Sequence, residues 1–285
     1  MNHFFIITNP CKDQGLKTTE QVVKLLTEAG AACRVQVAEE RREGRMYTDV
    51  SGIPSDTECI LVLGGDGTLI EAARDTMDLN IPLLGINLGT LGFLAEVEKG
   101  NLQHALDLLL RDCYQIESRM MLCGRLYRDG ECPVRSYALN DIVITRSGSM
   151  QIIHFHIYVN GQFLNEYSAD GVIVSTPTGS TGYNMSAGGP LVEPGANLLV
   201  ITPICPHTLN TRSIVLSAED EVVVEMAARK KDAPFRAELN FDGGHAVSLM
   251  LGDRIVVTRS EKTTDILKLS QVSFLEALHN KMSEK

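Results

Sequence analysis

The chain has 285 residues, of which 44% are hydrophobic and 22% charged, and its formal net charge is −10. This composition is typical of a globular protein with a sizeable core, arranged as one large domain or two. The negative charge, with no compensating basic stripe, argues against binding to nucleic acid or to an anionic membrane surface, and no apolar run approaches the length of a membrane span.

Seven cysteines are scattered along the chain, and none of them forms a C-x-x-C pair. An odd, scattered set argues against a disulfide framework or a zinc site and fits a reducing cytoplasm. His154 and His156 share a strand face but have no third ligand at metal spacing. The apolar stretch at residues 3–7 is too short for a signal-peptide core. The sequence therefore predicts a cytoplasmic protein without a side-chain metal site.

The first hundred residues alternate between strand and helix patterns. Val22, Leu25, Leu26 and Ala29 recur at helical spacing, and Gly30 fits the end of that helix. Such alternation predicts a mostly parallel, three-layer α/β domain with ligands near the carboxyl ends of its strands. The expected strands are residues 4–8, 33–37, 60–63 and 81–86, the expected helices are 14–29, 68–77 and 102–110, and residues 39–55 form a surface connection.

A glycine-rich turn follows the third predicted strand: Gly64, Gly65, Asp66 and Gly67 precede Thr68. A turn of this kind at a helix N-terminus exposes backbone N–H groups, and its glycines let a phosphate approach without a Cβ in the way. A carboxylate repels phosphate, so Asp66 makes sense if it binds Mg²⁺ or accepts a proton from an attacking hydroxyl. An ordinary strand-to-helix turn capped by Asp66 is the alternative.

Better-known motifs are absent from the sequence. No G-x-x-x-x-G-K-[ST] string occurs, and Gly85, Gly89 and Gly92 do not have the G-x-G-x-x-G spacing. Ser180 lacks the first glycine of a nucleophile elbow, because Thr178 occupies that position. The sequence therefore disfavours a P-loop nucleotide-binding site and a serine hydrolase activity.

From about residue 114 the pattern changes to short strands separated by turns. Asp129-Gly130 and Asn160-Gly161 are typical of hairpin turns. The pattern predicts an all-β sandwich, followed by a terminal helix at 272–282 that packs back onto the first domain. The predicted strands are residues 120–127, 137–145, 154–159, 171–175, 198–202, 221–226, 236–240 and 254–258. The predicted domains are residues 1–112, completed by 270–285, and residues 113–269.

Residues 170–186 of the β domain run from a buried strand into a loop rich in hydroxyls and glycines. Hydroxyls and free backbone amides suit sugar hydroxyls and phosphates, and Tyr183 is suited to pack on a base or ribose. A polar loop with capping serines and threonines is the alternative. Asn140 and Asp141 interrupt an apolar strand, and adjacent strand residues face opposite sides, so at least one of them should lie buried or in a cleft.

With these blocks the chain resembles the NAD kinases, which phosphorylate NAD at the 2′-hydroxyl of its adenosine ribose. Four blocks match the family in order: residues 64–68, 91–93, 140–141 and 170–184. Asn9-Pro10 with Lys12, and Asp242-Gly243, are similar to the family's opening and late motifs. The Gly-Gly-Asp-Gly block is shared with diacylglycerol, sphingosine and 6-phosphofructo-kinases, whereas the block at 178–184 separates NAD kinases from these relatives. The resemblance covers nearly the whole chain and implies an NAD kinase and diacylglycerol kinase-like architecture.

The resemblance implies Mg²⁺-dependent transfer of the γ-phosphate of ATP to NAD, which gives NADP. It implies that Asp66 is the catalytic carboxylate next to the 2′-hydroxyl. It also implies that Asp242 reaches NAD across a subunit boundary, and hence a homodimer or homotetramer. The full set of implied binding residues is Gly64, Gly65, Gly67, Thr68, Phe93, Asn140, Asp141, Asp170, Thr178, Ser180, Thr181, Gly182, Tyr183, Ser186 and Asp242.

Two positions depart from the family pattern: Asp141 stands where Glu is usual, and Gly182 stands where Ala is usual. These changes bear on contact geometry and loop rigidity more than on activity. Two other functions stay open. A kinase of another substrate, such as a lipid, needs an apolar acyl-binding cavity and does not explain the block at 178–184. A non-catalytic nucleotide sensor has no need of Asp66.

Overall fold

The computed structural model describes residues 1–38, 48–89, 92–148, 151–208, 212–227, 236–244, 246–270 and 272–283. Most of the predicted surface connection, at 39–47, and Leu91 lie outside the described residues. The chain divides into two compact units, Met1–Arg119 with Thr263–Lys285, and Met120–Lys262. The domain boundaries expected from the sequence, 1–112 with 270–285 and 113–269, stay predictions about which segments fold on their own.

The described residues form strands and helices in the following order along the chain. The strands are β1 (His3–Thr8), β2 (Ala32–Val37), β3 (Cys59–Gly64), β4 (Leu83–Asn87), β5 (Val97–Glu98), β6 (Gln115–Arg128), β7 (Glu131–Ala138), β8 (Asp141–Arg146), β9 (Ile153–Val159), β10 (Gln162–Ala169), β11 (Gly171–Ser175), β12 (Leu198–Ile204), β13 (Ile214–Ser217), β14 (Val222–Ala227), β15 (Ala237–Phe241), β16 (Val247–Leu249) and β17 (Arg254–Lys268). The helices are α1 (Lys17–Glu28), α2 (Asp66–Thr76), α3 (Leu102–Leu110), α4 (Tyr183–Ser186) and α5 (Phe274–Ser283). None of these described helices is long and apolar enough to cross a membrane.

The first unit is built on a parallel sheet with strand order β2-β1-β3-β4, to which β5 adds beside β4. Strand β3 is buried along its whole length, as expected of a parallel strand covered on both faces. Val22 and Leu26 of α1 and Leu106 of α3 pack on one face. On the other face, Leu69 of α2 lies against Gly85, where the absence of a side chain leaves room for it. The predicted three-layer α/β arrangement is confirmed.

Strands β1, β3 and β4 end at the same edge of this sheet. Thr8 pairs with Leu63 in the register, and Gly64 pairs with Asn87. The turns that follow the three strands therefore lie side by side, at the edge where ligands of parallel α/β sheets bind.

The second unit consists of two antiparallel layers. One is a six-stranded sheet with the order β13-β12-β11-β8-β15-β16, and the other contains β10-β9-β14-β17 and the β6–β7 hairpin. Phe155 and Val222 from one layer share a core with Val172 and Leu199 from the other. The predicted all-β sandwich is confirmed, and Asp129 and Asn160 have the positive φ values, both 51°, that the predicted hairpin turns require.

One predicted strand is wrong. Residues 137–145 are not a single strand, because β7 ends at Ala138 and β8 begins at Asp141. The backbone N–H groups of Leu139 and Asn140 donate to the Asp242 carboxylate, at 2.7 and 2.8 Å, which draws the chain out of the strand path. Strands β5, β10, β13 and β16 lie outside the expected strand ranges, as does β7 before residue 137, although the predicted hairpin turns imply strands after residues 130 and 161. Strand β5 has two residues and β16 has three, and β10 is exposed along most of its length.

Asp13 fixes the connection between β1 and α1. Its buried carboxylate accepts the backbone N–H groups of Thr18, at 3.0 Å, and Thr19, at 2.8 Å, and the hydroxyl of Thr19, at 2.7 Å. Burial by itself raises the pKa of Asp13, but these hydrogen bonds outweigh it and lower the pKa.

We expect Asp13→Ala to lower the free energy of unfolding by about 1–3 kcal/mol at pH 7, because two helix N–H groups lose their acceptor. Urea denaturation of both proteins measures the difference. Since folding lowers the pKa of Asp13, wild type should lose this advantage as the pH falls below about 4. Equal stability at pH 7 would contradict the capping role.

Candidate active site

The turn after β3 places Asp66 at the start of α2, two residues before the helix start expected from the sequence. A Cβ on Gly64 would overlap the Thr68 side chain, so glycine permits the close return of the chain there. At Gly65 and Gly67, no described atom lies within 4 Å of the position a Cβ would take. The turn therefore presents open backbone beside the positive end of the α2 dipole.

Asp66 is held by the loop that follows β4. Its carboxylate accepts the backbone N–H groups of Phe93 at 2.8 Å, Leu94 at 3.4 Å and Ala95 at 3.2 Å. A Cβ on Gly92 would overlap this carboxylate, so the contact requires glycine at that position. Sequence reasoning assigned no role to Gly92 toward Asp66, although both belong to blocks that it singled out.

Asn9 joins the turn after β1 to the glycine turn. Its backbone N–H donates to the Leu63 carbonyl at 2.9 Å, and its side-chain amide donates to the Thr68 hydroxyl at 3.1 Å. Thr68, expected to bind substrate, thus also serves as an acceptor that connects two turns of the site.

Phe93, expected in a dinucleotide pocket, lines a cavity of about 480 Å³ in the first unit. The cavity lies among the loop after β4, α3 and α5. The Nζ of Lys281, on α5, lies 4.2 Å from the centre of the Phe93 ring. The terminal helix therefore contacts the same loop that binds Asp66.

In the second unit, Asp242 fixes the connection of Leu139 and Asn140 between β7 and β8. In addition to the N–H groups of Leu139 and Asn140, its carboxylate accepts the N–H of Asp141 at 3.0 Å. The backbone N–H of Asp242 in turn donates to the Asp141 carbonyl at 3.0 Å. A carboxylate that is 102 and 101 positions away in sequence thus sets the direction of Asn140 and Asp141.

The loop after β11 packs directly on this connection between β7 and β8. The Thr176 backbone N–H donates to the Asn140 carbonyl at 2.8 Å, and the Thr176 hydroxyl donates to the Leu139 carbonyl at 2.7 Å. A Cβ on Gly179 would overlap the Asn140 backbone. The block at 178–184 and the Asn140-Asp141 pair, which are separate in sequence, are therefore in contact in the structure.

A cavity of about 420 Å³ opens beside this contact. Its lining includes Asn140, Asp141, Tyr183 and Asp242. Sequence reasoning missed Val143, Thr145, Asn240 and Gly243, which complete its lining. Strand alternation could have found Val143 and Thr145, since both lie on the same strand face as Asp141. The buried Oδ1 of Asn140 and the buried Oγ1 of Thr178 have no hydrogen-bond partner among the described residues.

Several expected binding residues are not among those lining this cavity. The Ser180 hydroxyl exchanges hydrogen bonds with the backbone of Val192, at 2.9 and 3.2 Å, and the Thr181 hydroxyl donates to the Thr178 carbonyl at 3.2 Å. Gly182 lies beside the Asn140 side chain, and Ser186 is exposed on α4. Asp170 accepts two hydrogen bonds from the Arg146 guanidinium, at 2.7 and 3.4 Å.

Asp141 has a strongly raised pKa in this cavity. Its side chain is buried, and burial, together with the charge of Asp242, raises the pKa of Asp141 to about 7. A carboxyl group in such a setting changes its charge near neutral pH, which is a property of functional sites.

Two family models match the chain, one in each half. The ATP-NAD kinase N-terminal domain matches residues 4–114, and the ATP-NAD kinase C-terminal domain matches residues 139–269. Both halves of the chain therefore match domains of the ATP-NAD kinases.

Curated relatives match over the full length. The chain is 46% identical to the NAD kinase of Lachnospira eligens, covering 99% of this chain and 100% of that one. It is 45% identical to the NAD kinase of Lachnoclostridium phytofermentans, with 100% of both chains covered. The chain belongs to the NAD kinase family, and the resemblance drawn from its motifs is confirmed.

Two solved structures share the fold. Yeast NADH kinase complexed with NADH has a TM-score of 0.84 and 22% identity, over 100% of this chain and 89% of that one. The NAD kinase from Archaeoglobus fulgidus in complex with ATP has a TM-score of 0.76 and 23% identity, over 99% and 100% of the two chains. At these identities the likeness concerns the fold alone.

We expect Asp141→Asn to stabilise the ligand-free protein at pH 8, because folding then no longer buries a charged carboxylate. The raised pKa means that wild-type stability falls as the pH rises from about 4 through about 7. The full difference from the ordinary value of 3.8 corresponds to at most about 4 kcal/mol. Urea denaturation at pH 4 and pH 8 measures it.

Well below the ordinary pKa of 3.8 the two proteins should be equally stable, since Asp141 is then uncharged in both folded and unfolded chains. A variant less stable than wild type at pH 8 would contradict the burial of Asp141 beside Asp242.

Proposed function

We infer that this chain phosphorylates NAD with ATP and releases NADP. The observation that carries the inference is full-length similarity to NAD kinases, at 46% and 45% identity. In finer detail, we propose that the γ-phosphate of ATP passes to the 2′-hydroxyl of the adenosine ribose, with Asp66 as the catalytic residue.

The glycine turn supports a phosphate site in the first unit. Gly65 and Gly67 leave open backbone at the start of α2, and Gly64 lets the turn close on Thr68. Backbone N–H groups and the helix dipole attract phosphate oxygens without a basic side chain. The archaeal relative's structure holds ATP, which is consistent with a triphosphate at this turn.

Asp66 is suited to accept the proton of the attacking hydroxyl. Three backbone N–H groups fix the orientation of its carboxylate, and a carboxylate has about four acceptor positions, so capacity is left for a hydroxyl. Phosphoryl transfer needs an aligned hydroxyl and neutralisation of the charge on the γ-phosphate, with little covalent chemistry by the protein, and a fixed carboxylate serves the alignment.

A divalent cation fits this site as a companion of ATP. Mg²⁺ is usually bound through one or two carboxylates and substrate phosphates, and Asp66 is the carboxylate beside the open turn. In the described part of the chain, no group of three or more metal-ligating side chains occurs. When bound, Mg²⁺ would neutralise phosphate charge, and Asp66 would bind it as the alternative to accepting the proton of the hydroxyl, because three backbone N–H groups already occupy its other acceptor positions.

The cavity of the second unit supports an NAD site. Buried Oδ1 of Asn140 and Oγ1 of Thr178 need hydrogen-bond partners, which an amino group or a hydroxyl of NAD would supply. Tyr183 presents its ring at the cavity and is 44% exposed, so that it can pack on a base. The yeast relative was solved with NADH, a ligand of this class.

The proposed roles of the remaining expected residues are either to support the loop or to contact NAD directly. Ser180 and Thr181 would support the loop, since their hydroxyls bind its backbone. Direct contacts to NAD from Asp170, Ser186 and Asp242, a homodimer or homotetramer, and a cytoplasmic location rest on the resemblance and on the composition.

We expect Asp66→Asn to lower the rate of NADP formation by about 10²–10⁴-fold, on the scale of general-base catalysis. Purified protein is incubated with NAD, ATP and Mg²⁺, coupled to an NADP-specific dehydrogenase. Asp13→Asn, which alters a capping carboxylate of the same unit, serves as the control and should retain most activity.

A wild-type rate in Asp66→Asn would contradict its role. If folded wild-type protein binds NADP but forms none, the chain is a nucleotide sensor. If it transfers phosphate from ATP only to a lipid acceptor, the alternative function of a lipid kinase is correct.

We expect excess EDTA to stop NADP formation and added Mg²⁺ to restore it. The unfolding temperature of the ligand-free protein should not change, because the cation arrives with ATP. Calorimetry with and without EDTA measures this, and a lowered unfolding temperature would indicate a resident metal instead.

A further inference from the structure

The loop after β4 lies between two carboxylates. On one side, Phe93, Leu94 and Ala95 donate their N–H groups to Asp66. The next residue, Glu96, directs its side chain to the segment that leads into α5. The orientation of Asp66 therefore depends on a loop that has a second anchor.

Glu96 binds the terminal segment through three contacts. Its carboxylate accepts the N–H of Ser270 at 2.7 Å and that of Leu269 at 3.2 Å, and lies 3.6 Å from the Nζ of Lys268. The side chain is 10% exposed, so water competes little for these bonds. Removing the carboxylate would leave two backbone donors without their acceptor.

The loop has little freedom to absorb a displacement at Glu96. The Glu96 backbone N–H donates to the Gly85 carbonyl at 3.0 Å. A Cβ on Gly85 would lie 2.9 Å from the Cα of Ala95, so β4 and the loop are already in close contact. A shift at Glu96 therefore passes to Ala95, which is one of the donors to Asp66.

A second contact connects the terminal segment to the same loop. Lys281 of α5 lies over the Phe93 ring, and the Phe93 N–H makes the shortest of the three bonds to Asp66, at 2.8 Å. Glu96 orients the chain that enters α5, and α5 covers Phe93. The two routes, through Ala95 and through Phe93, both end at the Asp66 carboxylate.

We propose that Glu96 is a positioning residue for phosphoryl transfer: by binding residues 268–270 it fixes the loop that orients Asp66. The proposal rests on the proposed function, because it concerns the geometry of the carboxylate that receives the proton. A displacement of about 1 Å at a reacting group costs up to about 10²-fold in rate. The expected loss is therefore in kcat rather than in substrate affinity.

Glu58 offers a matched control in the same unit. Its carboxylate accepts the backbone N–H groups of Asn2 and of His3, the latter at 2.9 Å, and so also ties a terminal segment to the sheet. It precedes β3, at the edge opposite to Asp66. Loss of Glu58 should weaken the fold without moving the loop after β4.

The experiment compares Glu96→Ala, Glu96→Gln and Glu58→Ala in the full chain. Steady-state NADP formation gives kcat and KM for NAD and ATP. Hydrogen exchange followed by NMR gives the protection of the amides of residues 93–95 in the ligand-free protein. Asp66→Asn provides the reference for a changed acceptor, and unfolding temperatures are measured for all variants.

We expect Glu96→Ala to lower kcat by about tenfold or more, with both KM values within about threefold of wild type. Amides 93–95 should exchange about tenfold faster. Glu96→Gln keeps an acceptor oxygen and should restore most of both properties. Glu58→Ala should lower the unfolding temperature and leave kcat and these amides within about twofold of wild type.

Unchanged exchange of amides 93–95 in Glu96→Ala would overturn the proposal, and so would faster exchange with unchanged kcat. Equal losses of kcat in Glu96→Ala and Glu58→Ala would also overturn it, because they would indicate a general loss of stability. If wild type forms no NADP, the proposed function fails, whereas the exchange measurement still decides whether Glu96 controls the loop.

Discussion

Each of the two candidate sites depends on the same interaction within its own unit: a single carboxylate that accepts three consecutive backbone N–H groups. Asp66 accepts those of residues 93–95, and Asp242 accepts those of residues 139–141. Hydrogen bonds from N–H groups to a charged acceptor are stronger than neutral ones, and three of them leave a loop little freedom. Each acid thereby fixes an irregular segment that no strand or helix would hold.

The two carboxylates have different chemical consequences. Asp66 lies beside the open backbone of Gly65 and Gly67, and the N–H groups that orient it belong to the loop after β4 rather than to this glycine turn. Asp242 lies beside Asp141, and its charge adds to burial in raising the pKa of that neighbour. The same hydrogen-bond pattern thus orients the carboxylate that we propose as the proton acceptor in one unit, and in the other it places a charge beside a carboxyl group with a raised pKa.

A chain with a net charge of −10 whose substrates carry phosphate groups needs local attraction. In the first unit, glycines give access to backbone N–H groups at the positive end of α2, and a cation that arrives with ATP would complete the neutralisation. In the second unit, we propose that the buried polar atoms of Asn140 and Thr178 select the ligand through hydrogen bonds rather than charge. The overall charge therefore does not conflict with the family's substrates.

The sequence by itself determined the two architectures, because strand and helix periodicities and the turns at Asp129 and Asn160 are local properties. It also indicated the residues of the glycine turn and of the block at 178–184, since their composition is unusual at short range. Only the tertiary structure decided how these residues are used. Asp242 interrupts a predicted strand from about a hundred residues away, Gly92 makes room for Asp66, and Glu96 reaches Ser270 across 174 positions. Such contacts depend on which chain segments the fold brings within hydrogen-bond distance, and no local pattern encodes that distance.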